Sequence, residues 1–388
     1  MTHLIVQVIF WSIISLLAYV YAGYPILVFI KSKLFPRPVK RGSIEPDVSI
    51  LITAYNEDAA IRQKIENTLA IDYPAEKLEI MVASDGSTDA TDEIVREFGD
   101  RGVRLFRQEG RSGKTITQNN AVKECRGEII LFSDATTEYP SDVLRRILPN
   151  FADETVGCVA GRLIYVDEAD TNVGSGAKSY WGYETFLKIA ESRSCSLIGA
   201  SGAMYAVRRS GYREMYAEAC SDFLIATILY RQGLRTIFEP DAVCTEITNT
   251  ETENEMRMRV RVIAQTFTDL WRNPDILDPF RHGFFAVQMI SHKVLRYAVP
   301  LLLMALFAAN ALLVRNNTFY DVTMVLQALF YLAAAGGWLL EKAGIRLRIL
   351  FLPLYFVIAN LASVIAILRF LSGERISTWE PIRASDRA

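Results

Sequence analysis

The stretch VSILITAYNE at residues 48–57 decides the fold of this chain. Its apolar first half predicts a buried strand, and its polar second half marks where that strand ends. Similar apolar runs follow at residues 78–83, 103–106 and 128–132, and an amphipathic stretch that predicts a helix comes after each. Alternating strands and helices are typical of βαβ units, so we expect an α/β domain with a mostly parallel sheet and helices on both faces.

The pattern after residue 151 is less regular but still predicts four elements. Strands are expected at residues 156–166 and 203–207, and helices near residues 180–190 and 221–232. We therefore place the whole α/β domain at residues 48–278.

Four long apolar runs flank this domain. One covers residues 4–30, and three begin near residues 297, 322 and 349. About 20 helical residues cross a ~30 Å hydrocarbon layer, and four such runs in one chain favour membrane spans over buried core helices. We expect one transmembrane helix within residues 1–30, three within residues 297–371, and a tail at residues 372–388.

Basic residues predict the orientation. Residues 31–47 form a basic linker after the first run, and no Lys or Arg precedes that run. Positive charge favours the cytoplasmic side, so we expect a multi-pass protein of the plasma or inner membrane with a cytoplasmic domain. Residues 279–296 are apolar with interspersed basic side chains, which predicts an interfacial helix. Arginines in the tail leave the side of the C-terminus open.

Composition excludes several classes of protein. The chain has 388 residues, with 42 Lys and Arg against 44 Asp and Glu, and its net charge of −2 argues against nucleic-acid binding. The five cysteines are scattered, so neither a disulfide framework nor a zinc cage is expected. Because no histidine falls within residues 48–278, a histidine triad or histidine metal site is excluded there.

Polar and acidic residues follow three of the predicted strands, at residues 53–57, 84–89 and 133–136. Ligands of open α/β sheets bind beyond the carboxyl ends of the strands. A single Asp after a strand is often a helix cap, as Asp89 can be, but three such ends on one edge predict a binding site.

Lys114 is a candidate phosphate contact. Gly113, Lys114 and Thr115 resemble the end of a phosphate-binding loop, but Gln108 stands where that motif requires Gly, so this interpretation fails. A lysine at a helix N-terminus still attracts a phosphate through its charge and the free backbone N–H groups. The alternative is a solvated surface lysine.

The ordered set of motifs resembles family 2 glycosyltransferases with a GT-A fold, of the membrane-embedded type related to cellulose, chitin and hyaluronan synthases. The motifs are TAYNE at 53–57, DGSTD at 85–89, Gly113-Lys114 with Asn119, SDAT at 133–136 and YP at 139–140. The resemblance covers about residues 48–265.

The resemblance implies a nucleotide-sugar site. Its donor side would be formed by Thr53, Tyr55, Glu57, Asp85, Lys114, Asp134 and Arg261. Asp85 would hydrogen-bond the base or ribose, and Asp134 matches the first Asp of a DxD motif that holds Mg²⁺ or Mn²⁺. Thr136 replaces the second Asp, which leaves Asp134 as the main metal ligand.

The acceptor side is implied by two further segments. A turn of small residues includes Gly199, Ser201 and Gly202, and it resembles the glycine-rich turn that approaches the acceptor sugar. Asp222 stands where the family has its general base. The alternative for Asp222 is an N-cap of the helix at residues 223–230, and both roles are compatible.

The largest departure from the family lies at residues 258–262. Processive synthases carry Gln-x-x-Arg-Trp there, whereas this chain has Met258, Arg261 and Val262. Arg261 is expected to contact the diphosphate, or else it belongs with Arg257 and Arg259 to a solvated or lipid-headgroup face. The missing Trp puts long-chain polymerisation in doubt.

The resemblance implies inverting, metal-dependent transfer of a sugar. The donor would be a nucleotide-sugar, UDP-linked, and the acceptor a membrane-associated glycan or a lipid-linked molecule, with membrane lipids as further partners. Further subunits of a polysaccharide export system are possible partners. Two alternatives stay open: addition of one sugar to a lipid carrier, and a degenerate nucleotide-sugar-binding or scaffold subunit. All of them require Asp134 and Asp222 to meet in one crevice.

Overall fold

The computed structural model describes residues 2–166, 172–247, 252–343, 345 and 347–378. Of the predicted tail at residues 372–388, the part from residue 379 on lies outside the described residues.

Seven strands form one sheet in the described part of the chain. They are β1 Val48–Ala54, β2 Leu78–Ser84, β3 Val103–Arg107, β4 Ile129–Asp134, β5 Val156–Val166, β6 Met204–Arg208 and β7 Arg235–Ile247. Their order across the sheet is β3-β2-β1-β4-β6-β5-β7.

The sheet is mostly parallel, as predicted. β1 pairs in parallel with β2 and β4, β2 with β3, and β5 with β7. Only β6 runs antiparallel, between β4 and β5. β7 was not predicted, because Pro240 interrupts its apolar pattern, and the register between β5 and β7 shifts at this point.

The helices, numbered along the chain, alternate with these strands and flank them. They are α1 Thr2–Ala18, α2 Tyr24–Leu34, α3 Ile61–Leu69, α4 Thr91–Glu97, α5 Lys114–Glu124, α6 Val143–Ile147, α7 Asn172–Ser194, α8 Ser221–Arg231, α9 Thr252–Arg272, α10 Pro279–His282, α11 Phe284–Met289, α12 Leu295–Leu313, α13 Thr318–Lys342 and α14 Arg348–Leu371.

Helices cover both faces of the sheet, which confirms the predicted layers. Ile50 and Ile52 of β1 pack in a core with Ile61 and Ile65 of α3. Leu51, between them, points to the other face, whose core includes residues of α5 and α8. Successive side chains of a strand alternate between faces, so a continuous apolar run is buried on both sides.

Among the residues that the structure describes, four helical segments are long and apolar enough to cross a membrane. They are His3–Leu34, Phe284–Leu313, Thr318–Lys342 and Leu352–Leu371. The first joins α1 and α2 through a π-helical turn, and the second joins α11 and α12 in the same way. Within the expected interfacial segment 279–296, the chain turns at Gly283 (φ 54°) and α11 then continues into α12.

Buried polar side chains connect α7 to the helices of the first two segments. Glu191 accepts hydrogen bonds from Tyr24 and lies 2.7 Å from His292 Nδ1, while Glu184 lies 3.2 Å from His292 Nε2 and pairs with Arg296. Burial alone would raise the pKa of Glu184, but the charges of Arg296 and His292 outweigh it and hold that pKa well below its ordinary value. We call these five residues the anchor cluster.

Candidate active site

The carboxyl ends of the central strands bring the predicted residues to one edge. Thr53 near the end of β1 is the register partner of Asp134 on β4 and of Ala83 on β2. Parallel strands place equivalent ends side by side, so the turns that follow β1, β2 and β4 meet at this edge.

Three charged groups converge on Gly202. A Cβ atom placed on Gly202 would lie 3.4 Å from Asp222 Oδ2, 3.4 Å from Lys114 Nζ and 3.5 Å from Asp134 Oδ2. Asp134 and Asp222 therefore face one crevice, as the sequence required. The missing side chain of Gly202 leaves this space open, so a larger residue would intrude between the charges.

Lys114 is the first residue of α5, and it forms an ion pair with Asp134. Burial alone would lower the pKa of Lys114, but the neighbouring carboxylate of Asp134 outweighs this and raises the pKa. The structure therefore contradicts the alternative of a solvated surface lysine: the ammonium is a charged group of the crevice.

Asp85 shapes the loop in front of α5. The side chain is buried and accepts hydrogen bonds from Ser112 N at 2.7 Å, Gly113 N at 2.9 Å and Thr117 Oγ1 at 2.8 Å. Gly113 has a φ of +90°, which favours glycine at this position. Asp85 thus presents Lys114 to the crevice, and its contact with a base or ribose stays a prediction.

Three more expected donor residues lie at the end of β1. Thr53 is buried and accepts a hydrogen bond from Gln118 Nε2 at 3.2 Å. The guanidinium of Arg111 lies 4.0 Å from the centre of the Tyr55 ring. Glu57 is half-buried in the turn that follows. Tyr55 and Arg111 form a flat, cationic surface, which suits an aromatic base or a phosphate.

Thr136 has a carboxylate partner that the sequence did not predict. Its hydroxyl donates to Glu246 Oε1 of β7 at 2.8 Å. The turn after β4 is tied to β7 by two further backbone hydrogen bonds between Glu138 and Thr245. The region where a second Asp of a DxD motif is missing therefore contains a carboxylate from a distant strand.

Asp222 is the second residue of α8, whose N-cap is Cys220. The alternative that Asp222 is the N-cap is therefore wrong. Its carboxylate accepts a hydrogen bond from the Cys220 thiol at 3.1 Å, and its carbonyl oxygen accepts one from Ala200 N at 2.8 Å. The second bond joins the turn that contains Gly199, Ser201 and Gly202 to the helix that contains Asp222.

Arg261 lies on α9 within range of the same charges. Burial lowers its pKa, and the carboxylates of Asp134 and Asp222 oppose that effect. Arg259 does not belong to a solvated face, because it pairs with Glu255 at 2.7 Å and donates to Tyr355 of α14. Val262, where processive synthases have Trp, is 36% exposed and offers no aromatic surface.

Asp269 of α9 supports the segment before Asp222, and the sequence did not identify it. It is buried, and it accepts hydrogen bonds from the Tyr216 hydroxyl and from Cys220 N. Burial raises its pKa to about 8. The available signal was an Asp on the otherwise apolar face of an amphipathic helix.

Lys64 of α3 is the second supporting residue that the sequence did not identify. Its ammonium is buried and donates to the carbonyl oxygen of Thr137 at 2.6 Å. Burial lowers the pKa of Lys64 to about 7. Through this hydrogen bond, Lys64 stabilises the turn that contains Asp134 and Thr136.

The described part of the tail returns to the crevice. The Ile376 carbonyl accepts a hydrogen bond from Gln265 of α9 at 3.0 Å. A Cβ atom placed on Gly113 would collide with the carbonyl oxygen of Ser377. The chain after α14 thus lies against the N-terminus of α5.

The side chains at the crevice fit a hard divalent cation. Asp134 and Asp222 offer carboxylate oxygen atoms in the crevice, and Thr136, two residues after Asp134, offers a hydroxyl oxygen; Mg²⁺ and Mn²⁺ prefer such ligands. Within the part of the chain that the structure describes, no three His, Cys, Asp or Glu side chains stand close enough to hold a metal on their own. Phosphate oxygens of a nucleotide would supply the remaining ligands.

Residues 49–216 match the model of the family described as glycosyl transferase family 2. Two curated relatives are similar over part of the chain. The beta-monoglucosyldiacylglycerol synthase of Synechocystis is 32% identical over 32% of this chain and 27% of its own. The poly-beta-1,6-N-acetyl-D-glucosamine synthase of Staphylococcus aureus is 26% identical over 51% of this chain and 49% of its own. The chain thus spans half or less of these relatives.

One solved structure has the same fold over nearly the whole chain. It is the mannosyltransferase PcManGT from Pyrobaculum calidifontis, in complex with GDP-Man and Mn²⁺. The TM-score is 0.68 at 23% identity, and the match covers 94% of this chain and 99% of that one. The expected GT-A fold with attached apolar helices is confirmed.

Proposed function

We propose that the protein, whose residues 49–216 match the family model described as glycosyl transferase family 2, is an inverting, metal-dependent glycosyltransferase. It moves a sugar from a nucleotide-sugar to an acceptor at the membrane. The observation that carries the proposal is the convergence of Lys114, Asp134 and Asp222 on Gly202.

The donor binds across the carboxyl ends of β1, β2 and β4. The base lies toward Thr53, Tyr55, Glu57 and Asp85. The diphosphate is attracted by Lys114 at the N-terminus of α5, where free backbone N–H groups add to the positive field. Arg261 supplies a second cation from α9. We propose a UDP-linked donor, and a GDP-linked donor is the competing possibility, since PcManGT was solved with GDP-Man.

Mg²⁺ or Mn²⁺ would be held by Asp134 with Thr136. When bound, such an ion neutralises the charge that builds up on the leaving nucleoside diphosphate. Lys114 forms an ion pair with the same carboxylate, so the chain supplies a positive charge to the crevice from its own side chains as well.

Asp222 is the general base. It accepts the proton of the acceptor hydroxyl as that oxygen attacks the anomeric carbon from the face opposite the diphosphate, which inverts the configuration. Gly199, Ser201 and Gly202 are small enough for the acceptor to approach this carboxylate. Cys220 donates to Asp222 and orients it.

The acceptor is a lipid-linked or membrane-associated glycan, and transfer stops after one sugar. The named relatives include a synthase of a glucosylated diacylglycerol and a synthase of a polysaccharide. Val262 has no aromatic ring on which an acceptor sugar could stack. This favours addition of a single sugar over processive synthesis. Synthesis of a long glycan, as in a polysaccharide export system, is the alternative that the test below distinguishes by product mass.

The catalytic domain lies on the cytoplasmic side of a multi-pass membrane protein. Lys31 and Lys33 lie at the C-terminal end of the first apolar segment and Arg37 follows it, which supports this orientation. We assign residues 48–278 to the catalytic domain and residues 31–47 to a basic linker between it and the first membrane helix.

The test is transfer by the full chain in lipid nanodiscs. The protein is incubated with Mn²⁺, UDP- and GDP-linked sugars, and three acceptors: diacylglycerol, polyprenyl phosphate and a short β-linked glycan. Released nucleoside diphosphate and product mass are measured. We expect release that depends on acceptor, with products one sugar heavier.

Two results would change the assignment. Products that grow by many sugars would show a polymerase. Tight nucleotide binding without release from any donor and acceptor would support a degenerate binding or scaffold subunit, the function class that Thr136, Ser221 and Val262 favour through their departures from the family motifs.

A further inference from the structure

We propose that Glu246 completes the cation site by acting through the hydroxyl of Thr136. This inference rests on the proposed function, since it assigns a role toward the divalent cation of that site. Glu246 would be a positioning residue, because it acts on the cation through Thr136.

The hydrogen bond from Thr136 Oγ1 to Glu246 Oε1 is 2.8 Å long and joins residues that are 110 positions apart. It is held in register by the turn after β4: Glu138 N donates to Thr245 O at 2.9 Å, and Thr245 N donates to Glu138 O at 3.0 Å. The pairing of Thr245 with Glu138 thus places the adjacent Glu246 next to Thr136.

The same turn is also contacted by Lys64 of α3. Its buried ammonium donates to Thr137 O at 2.6 Å and to Thr137 Oγ1 at 3.2 Å. The positive charge of Lys64 also lies within range of Asp134 and Glu246. The segment between Asp134 and Thr137 is therefore held by β4, β7 and α3, which keeps the Thr136 hydroxyl in a defined place.

The chemistry follows from the direction of the hydrogen bond. A neutral hydroxyl is a weaker ligand than a carboxylate for a hard cation. When the Thr136 hydroxyl donates a hydrogen bond to the Glu246 carboxylate, the hydroxyl oxygen gains electron density and its lone pairs stay available to a cation. A carboxylate behind a metal ligand raises the basicity of that ligand and fixes its orientation. Thr136 with Glu246 thus replaces the second Asp of the DxD motif with two residues.

The inference predicts a measurable loss of metal affinity. Glu246→Gln keeps the shape and can still accept a hydrogen bond, but it removes the charge. We expect Mn²⁺ affinity in the presence of UDP or GDP to fall about 10- to 100-fold, as for other partners behind metal ligands. The readout is the electron paramagnetic resonance signal of free Mn²⁺ during titration of the full chain in nanodiscs.

A rescue and a matched control complete the series. Thr136→Asp in the Glu246→Gln background supplies the missing carboxylate directly, and we expect it to recover most of the affinity. Glu138→Gln is the control: Glu138 lies on the same turn but accepts from Gln63 at its side chain. We expect its Mn²⁺ affinity to remain within about twofold of the wild-type value, because the half-buried Glu138 carboxylate accepts from Gln63 and not from Thr136.

Three outcomes decide against the inference. Wild-type Mn²⁺ affinity in Glu246→Gln overturns it, as does a lowered melting temperature without a change in affinity, which would reveal a purely structural link. Sugar transfer by the wild type that persists unchanged in a chelator also overturns it while leaving the transferase intact. If the wild type transfers no sugar at all, the proposed function fails, and the Mn²⁺ titrations still decide the role of Glu246.

Discussion

Lys114 and Asp134 form an ion pair across the crevice, although they belong to different elements and are 20 residues apart. Their pairing joins the N-terminus of α5 to the carboxyl end of β4. The pair balances the charge of Asp134 with an ammonium, and under the proposed function that ammonium would meet the donor diphosphate.

The ion pair predicts the effect of removing the ammonium. We expect Lys114→Met to lower the rate of nucleoside diphosphate release about 10²-fold, because it removes a cation that faces developing negative charge. Nucleotide affinity measured by calorimetry should fall as well. Lys123→Met is the control, since Lys123 lies on the same helix but pairs with exposed Glu214. Equal activity of Lys114→Met and wild type would contradict the assignment.

Asp222 should be needed for transfer but not for donor binding. We expect Asp222→Asn to reduce product formation about 10³-fold, in the range for loss of a general base, while donor affinity changes less than threefold. Stopped-flow or calorimetric donor binding separates the two effects. Glu218→Gln, in the segment just before α8 but paired with Arg272 at 3.2 Å, should retain activity. A parallel loss of binding and rate in Asp222→Asn would argue for a structural role.

Asp269 should make stability depend on pH. Burial raises its pKa from 3.8 to about 8. Between these values the folded protein binds a proton that the unfolded chain has released, so this contribution to stability is present below about pH 4 and is lost as the pH rises through 8. We expect Asp269→Asn to abolish this decline. The melting temperature of the variant minus that of the wild type should therefore increase as the pH is raised from about 4 to 8.

The control for this experiment is Asp275→Asn, because the side chain of Asp275 is 37% exposed in its pair with Arg231. We expect no gain toward pH 8 in this variant. Identical pH profiles for the wild type and Asp269→Asn would show that Asp269 is ionised in the folded protein.

The anchor cluster should contribute much more to stability than a surface ion pair. Glu184→Ala removes the buried carboxylate that pairs with Arg296 and lies 3.2 Å from His292 Nε2, and removal of one partner of a buried ion pair typically costs about 3–5 kcal/mol. The surface pair of Glu97 with Arg62 is half-exposed, and Glu97→Ala should cost less than about 1 kcal/mol. Thermal unfolding in nanodiscs measures both, and similar losses would contradict the burial argument.

The sheet, its helices and the polar strand ends around Asp134 could be predicted from the sequence pattern, whereas the place of Asp222 beside Asp134 was expected only from the family resemblance. Strand β1 shows why: its apolar residues are consecutive, its end is polar, and parallel strands gather their ends at one edge. These signals are local and repeat along the chain.

Glu246 and Asp269 could not be predicted in the same way. β7 contains Pro240 and a shift in register, so its pattern did not indicate a strand, and Glu246 reaches Thr136 only because that strand exists. Asp269 reaches Cys220 across the contact between α8 and α9. Such contacts depend on tertiary packing, which no single window of sequence contains.

The anchor cluster also determines how this protein has to be purified. A fragment limited to residues 48–278 would lack Tyr24, His292 and Arg296. Glu184 and Glu191 would then lose these hydrogen-bond and ion-pair partners on a newly exposed, partly apolar surface. We therefore expect this fragment to aggregate when it is expressed alone. Assays should start from the full chain, purified with its apolar helical segments.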